Sequence, residues 1–164
     1  IKNPKYYYYF HHKDNYKNYL TKILKQQNLS NIEIICNDKI KQVVIKKSIF
    51  AVVKSGTISL EVCKEGVPSI IIYKMNFINF IIAKFFLKIK YANMINIINN
   101  SEILPELLQN ECNADEIYKS VHYYLKKPEL INKQLKRVKN TIDNLTSSSS
   151  SSNEASNIIL SYLS

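Results

Sequence analysis

Tryptophan is absent, glycine occurs only twice, and arginine is represented by Arg137 alone among 23 basic residues. Lys, Asn, Ile and Tyr are abundant instead, the usage expected when an AT-rich genome sets composition through its codons. The net charge of +10 is therefore read first as codon drift, because Arg, the side chain best shaped to grip a phosphate with two parallel N–H groups, is nearly missing. Three cysteines, Cys36, Cys63 and Cys112, are an odd set with wide spacing. That excludes a disulfide framework and a CxxC metal knuckle, and it points to a reducing cytoplasm. No apolar run reaches the roughly 18 residues that a membrane-spanning helix needs; the nearest approach, Phe77 to Ile89, is broken by Asn79, Lys84 and Lys88. Residues Ile1 to Tyr9 have no initiator Met and no apolar signal-peptide core, so the expectation is a chain that begins inside a longer parent.

What is present is enough for one domain with a core, since 46% of the 164 residues are hydrophobic. Tyr6 to His11 suits a buried strand, and Tyr16, Leu20, Ile23 and Leu24 recur at helical spacing within Tyr16 to Gln27. A second strand is expected at Ile32 to Cys36, a short helix at Lys39 to Lys46, and a third strand at Ile49 to Val53. After a Lys-Ser-Gly-Thr turn, Ile58 to Lys64 reads as a helix stopped by Gly66 and Pro68, and Ser69 to Tyr73 as a strand. Short, continuously apolar strands alternating with helices indicate an α/β fold with a doubly wound parallel sheet covered on both faces.

Asn76 to Lys88 reads as a helix apolar on most sides, covering the sheet or lying on a membrane surface. Helices are expected over Glu102 to Gln109, Ala114 to Lys126, Pro128 to Leu145 and Glu154 to Leu163, with Pro128 at a first-turn position that needs no N–H donor. Thr146 to Ser152 is a serine tract with nothing to bury, hence a linker. The expected layout is one domain over 1–145 and a Ser-rich linker with a terminal helix over 146–164.

The stretch Lys54-Ser55-Gly56-Thr57-Ile58-Ser59-Leu60-Glu61 falls at the carboxyl end of an expected strand, where doubly wound sheets bind ligands. Gly56 lets the backbone come close, Ser55 and Thr57 carry hydroxyls, and the N–H groups opening a helix favour an anion such as a diphosphate. Glu61, one turn after Thr57 on the same face, can accept two hydrogen bonds from a ribose diol. The plain alternative is a helix cap followed by a carboxylate that favours the positive helix end.

The segments AVVKSGTISLEVCKEG (51–66) and VPSIIIYKMNFINFIIAKFFLKIKYANMINIINNSEILPELLQNEC (67–112) resemble the lipid-A-disaccharide synthase family, with the similarity running from about Tyr6 to Leu163 and densest at SGTISLE and SEILPELLQ. The resemblance implies the carboxyl-terminal, Rossmann-like half of a GT-B glycosyltransferase. Such an enzyme moves a diacylglucosamine from its UDP donor onto diacylglucosamine 1-phosphate, with inversion, without a metal or other cofactor. By the same resemblance Ser55, Gly56 and Thr57 contact the diphosphate and Glu61 the ribose, while Asn96, Glu102, Glu106 and Gln109 fall in donor-site motifs. Glu106 and Gln109 also read as caps or packing groups at the start of a helix.

Departures stand beside the matches: Ile95 replaces a Pro, and Asn100 and Ser101 replace a Gly-Arg pair. The family's Gly-Ser-Arg phosphate loop belongs to a first strand-helix unit, and its general base to an amino-terminal domain; neither is in this sequence. The implied partners are the UDP-diacylglucosamine donor, the acceptor held by a separate amino-terminal domain, the inner membrane surface of a Gram-negative bacterium on its cytoplasmic side, and a second copy in a homodimer. The chain alone is expected to bind UDP and to be inactive.

Other chemistries have less support. Ser55 has no Gly-x-Ser-x-Gly elbow to make it a nucleophile. His11 and His12 are adjacent and point to opposite faces of a strand, which leaves them and His122 poor metal ligands. Cys63, inside the expected helix, reads as a buried thiol. A nucleic-acid module is suggested by the charge and twelve tyrosines, yet Tyr6 to Tyr9 are consecutive and cannot form one stacking face, and no RRM, KH or zinc pattern appears. A non-catalytic, membrane-associated remnant is the other alternative, resting on the apolar 76–88 stretch with Lys74, Lys84, Lys88 and Lys90 around it.

Overall fold

A computed structural model describes residues 8–11, 16–76, 90–146, 156 and 159–162. Its chain contacts gather into two units, Ile1–Ser48 and Ile49–Ser164. Strands β1 (Tyr8–His11) and β2 (Ile32–Ile35) of the first unit pair in parallel, Tyr8 opposite Ile32 and His11 opposite Ile35. Helix α1 (Lys17–Gln26) makes the crossover between them, and α2 (Asp38–Lys47) follows β2. The Asn37 side chain caps α2 by accepting from the N–H groups of Lys39 and Ile40.

The second unit holds a three-stranded parallel sheet in the order β3 (Ala51–Lys54), β4 (Ser69–Tyr73), β5 (Glu106–Leu108). Helix α3 (Thr57–Lys64) links β3 to β4, and α4 (Met94–Ile98) lies between β4 and β5. Helices α5 (Ala114–Leu125) and α6 (Pro128–Thr146) follow, and α6 packs on α3, α4 and α5. The core is aliphatic: Val53 from β3, Val62 and Cys63 from α3, Ile70 and Ile71 from β4, Ile95 from α4, Ile103 and Leu104 before β5, and Val138 from α6 are all buried. These parallel strands with crossover helices are the expected α/β, Rossmann-like class, and Pro128 opens α6 at the position anticipated for it.

With two glycines to spend, the chain ends its helices on asparagine as well. Gly66 stands at φ +69° after α3, where its N–H meets the carbonyl of Cys63 at 3.0 Å and that of Val67 meets Val62 at 3.2 Å. Asn28 after α1 (φ +52°) and Asn100 after α4 (φ +43°) close their helices with the same pair of reversed hydrogen bonds. Asn tolerates the left-handed conformation better than other side-chain-bearing residues, which makes it the natural substitute here.

Two expectations need correction. Residues 102–109 are not a helix: β5 occupies Glu106–Leu108 and a single 3-10 turn occupies Gln109–Glu111. Pro105 disfavours a helical conformation at Leu104, and its carbonyl accepts the Ile71 N–H at 2.8 Å, which starts a strand ladder instead. Helix α4 was also not foreseen. The expected helix over 76–88 lies almost wholly outside the described residues, as do most of the serine tract and half of the expected helix over 154–163. No helix among the described residues is long and apolar enough to cross a membrane.

Candidate functional site

Because β3, β4 and β5 are parallel, their carboxyl ends share one edge of the sheet. Ser55, Met75 and Gln109 follow directly or closely upon that edge. The Ser55 N–H reaches across to the Ile72 carbonyl of β4 at 3.2 Å, carrying the β3–β4 ladder one residue beyond the strand. The backbone then turns at Gly56, whose φ of +141° and ψ of −164° are essentially closed to side-chain-bearing residues. Among the described residues nothing lies within 4 Å of the place a Cβ would take on Gly56. The glycine is thus required by its dihedral angles and not by crowding from any described neighbour.

Helix α3 starts directly after Gly56 without a side-chain cap, so the N–H groups of its first turn lack intrahelical acceptors and carry the positive end of the helix dipole. Ser59 is the exception, bonding the Gly56 carbonyl through both its N–H (3.1 Å) and its hydroxyl (2.6 Å). Thr57 is exposed and Glu61, one turn along, is half-buried. Uncapped amides, a threonine hydroxyl and a carboxylate one turn away are complementary to a phosphorylated diol.

Ser55 sits differently from what the sequence suggested. Its hydroxyl donates to the Ala92 carbonyl at 2.7 Å, so both of its donors are used within the chain. That hydroxyl ties the Gly56 loop to the Ala92 main chain, and the opening of α3 begins with the main-chain amides of Gly56, Thr57 and Ile58. Sequence reasoning does not single out Ile58, because a backbone donor leaves no mark on residue type.

Asn96 is fully buried. Its Oδ1 accepts from the N–H groups of Ile103 (2.8 Å) and Leu104 (2.9 Å), and its Nδ2 donates to the Leu104 carbonyl and to Glu106 Oε1, both at 2.7 Å. All four of its hydrogen-bonding positions are filled, so it organises the chain without facing a ligand. Glu106 also accepts from the N–H groups of Ala92 at 2.7 Å and Asn93 at 2.9 Å. Asn93, which no sequence pattern singled out, caps α4 through Ile95 and donates to the Ser59 hydroxyl at 2.8 Å.

Gln109 holds the main chain of Met75, accepting from its N–H at 2.9 Å and donating to its carbonyl at 3.2 Å. Glu102 is exposed and accepts from the Glu106 N–H at 3.2 Å. The structure therefore gathers Ser55, Gly56, Thr57 and Glu61 on one loop and helix, ties Asn96 and Glu106 to that loop by hydrogen bonds, and places Gln109 at the end of β4.

Two departures from the family pattern find a local explanation. Asn100 keeps the left-handed conformation that glycine would adopt. Ser101, standing where an Arg was expected, accepts a hydrogen bond from the guanidinium of Arg137 on α6, so the one arginine of the chain reaches this position from another element. A shallow hollow of about 660 Å³ on the first unit, lined by Lys17, Leu24, Leu29 and Glu33 among others, lies between α1 and β2 and carries none of these groups.

A family model described as lipid-A-disaccharide synthetase matches residues 5–160. The lipid-A-disaccharide synthase of Rickettsia bellii (strain OSU 85-389) is 44% identical over 85 residues, 52% of this chain and 22% of that protein. That of Rickettsia prowazekii (strain Madrid E) is 42% identical over 87 residues, 53% of this chain and 22% of the relative. That of Rickettsia felis is 49% identical over 67 residues, 41% and 17% of the two chains. The chain thus spans about a fifth of the length of the curated relatives it matches.

Proposed function

The chain belongs to the lipid-A-disaccharide synthetase family, and from that premise we propose that it is the part of a lipid A glycosyltransferase that holds the UDP moiety of the sugar donor. The observation that carries this reading is the uncapped start of α3 directly after Gly56, at the carboxyl edge of β3 and β4. The amides of Gly56, Thr57 and Ile58 and the Thr57 hydroxyl donate to the diphosphate, and Glu61 accepts from the ribose hydroxyls. UDP is the leaving group of the transfer, so these donors do chemical work as well as binding: they stabilise the negative charge that grows on the diphosphate as the sugar departs.

Inversion also needs a base to take the acceptor hydroxyl's proton, held in line on the far side of the sugar. The Gly56 loop offers donors and no such base, and we infer that the chain alone binds UDP without forming the disaccharide. The donor is UDP-diacylglucosamine, and the acceptor, diacylglucosamine 1-phosphate, is held by an amino-terminal domain. The place of work is the cytoplasmic face of the inner membrane of a Gram-negative bacterium. Support for a surface location comes from Met94, Ile97 and Ile98, which share one exposed face of α4 in a chain of net charge +10.

The test is a calorimetric titration of the chain with UDP at moderate salt, beside Glu61→Ala. Saturable binding that weakens about tenfold or more in the variant, as expected for two lost hydrogen bonds to a charged group, supports the reading. Absence of UDP binding in the unaltered chain would overturn it.

A further inference from the structure

One carboxylate collects three donors behind the Gly56 loop. Glu106 Oε2 accepts from the Ala92 N–H at 2.7 Å, and Oε1 accepts from the Asn93 N–H at 2.9 Å and from Asn96 Nδ2 at 2.7 Å. Two hydrogen-bonded paths run on from there. Along one, the Ala92 carbonyl accepts the Ser55 hydroxyl at 2.7 Å. Along the other, Asn93 Nδ2 donates to the Ser59 hydroxyl at 2.8 Å, and that hydroxyl donates to the Gly56 carbonyl at 2.6 Å. The paths reach the loop on either side of Gly56, the residue with the least intrinsic conformational preference in the segment.

We propose that Glu106 is a positioning residue that sets the Gly56 loop for a nucleoside diphosphate while making no contact with it. A glycine whose surroundings leave it open spreads over many conformations, and aiming amides at a phosphate requires only one. Glu106 supplies the constraint from the side opposite the ligand. Its carboxylate is chemically required: a neutral amide in its place turns an N–H₂ group either toward the Ala92 N–H or toward the donors of Asn93 and Asn96. The proposal rests on the reading of this loop as the UDP site, and its first readout is independent of that reading.

The experiment is amide hydrogen exchange at Ser55 and Ser59, which bond other partners and do not touch Glu106, combined with UDP titration of the same full chain. Glu106→Gln is expected to speed exchange at both amides about tenfold relative to β4 and to weaken UDP binding by a similar factor. Gln134→Ala, which loosens the opposite end of β4, is expected to leave the loop in step with global unfolding and UDP affinity within about twofold. Ser59→Ala cuts one path with little change of volume and serves if Glu106→Gln does not fold; faster exchange at Ser55 is expected. Unchanged loop exchange in a folded Glu106→Gln, or in Ser59→Ala, would overturn the proposal. Loss of UDP affinity with unchanged loop exchange would do so too, marking Glu106 as a direct ligand contact. If the unaltered chain binds no UDP, the donor reading fails, and the exchange arm still decides whether Glu106 sets the loop.

Discussion

Gln134 of α6 pairs its side-chain amide with the main chain of Ser69, accepting from the Ser69 N–H at 2.9 Å and donating to the Ser69 carbonyl at 3.0 Å. Ser69, like Ile71, turns its main-chain groups toward the β5 side; the Ile71 N–H is taken there by Pro105, but β5 does not extend as far as Ser69. Gln134 supplies the missing rung. Gln109 does the same for Met75 beyond the other end of β4. The central strand of the second unit is therefore completed at both ends by glutamine side chains acting as pieces of a strand.

Both partners of the first pair are buried. Gln134→Ala leaves one N–H and one carbonyl without acceptor or donor, and a loss of about 3 kcal/mol is expected, the cost of two orphaned buried groups. Urea unfolding followed by circular dichroism measures it. A loss below about 1 kcal/mol would mean that water replaces the amide.

Asn96→Asp differs from the natural residue by one polar group and is expected to be worse than Asn96→Ala at neutral pH. The new carboxylate would face Glu106 Oε1, now 2.7 Å from Asn96 Nδ2, and the Leu104 carbonyl, also 2.7 Å away. Two carboxylates at that separation cannot both be ionised cheaply. Stability of Asn96→Asp should recover partly as pH falls and the pair takes up a proton, whereas Asn96→Ala shows no such recovery. Thermal melts of both variants at several pH values separate the outcomes.

Gly56→Ala is expected to cost about 1–3 kcal/mol through backbone strain, since φ +141° disfavours a Cβ even though no described residue lies within 4 Å of its place. The strain is relieved by moving the loop, so UDP affinity should fall more than stability does. Comparing the titration with the unfolding midpoint checks this; an unaltered affinity would show that the loop conformation does not matter to the ligand.

Burial raises the Cys63 thiol from 9.0 to about 11. The thiol is neutral and enclosed near pH 7.5, so Cys36 and Cys112, both partly exposed, should be alkylated first, as peptide mass spectrometry would reveal. The unfolded chain releases the Cys63 proton near pH 9 and the folded chain holds it to about pH 11. Stability is therefore unaffected by this group below pH 9 and declines between those values, by on the order of 2–3 kcal/mol. Cys63→Ala should remove that part of the alkaline decline.

Legibility followed the range of the interactions. Strand β4 was read at its observed bounds, and α3, α5 and α6 within a residue at either end, because apolar spacing and a terminal Gly or Pro act locally. Residues 102–109 misled because Ile103, Leu104, Leu107 and Leu108 fit a helical stripe as well as a strand; the vacant ladder of β4 decided between them. In the site, Gly56 announced itself by residue type and by its place between an apolar run and a helix. The use of Ser55 as a tether did not, since its partner Ala92 lies 37 residues away.

Residues within a few positions of one another account for the alternation of strand and helix, for the parallel pairing that this alternation demands, and for the glycine turn that opens α3. Contacts between residues distant in the chain settle which polar side chains are taken up in holding the frame. Asn93, Asn96, Glu106, Gln109 and Gln134 are all capable of either task. Whether a buried donor or acceptor is left over for a ligand depends on what the fold places beside it, and no local pattern encodes that.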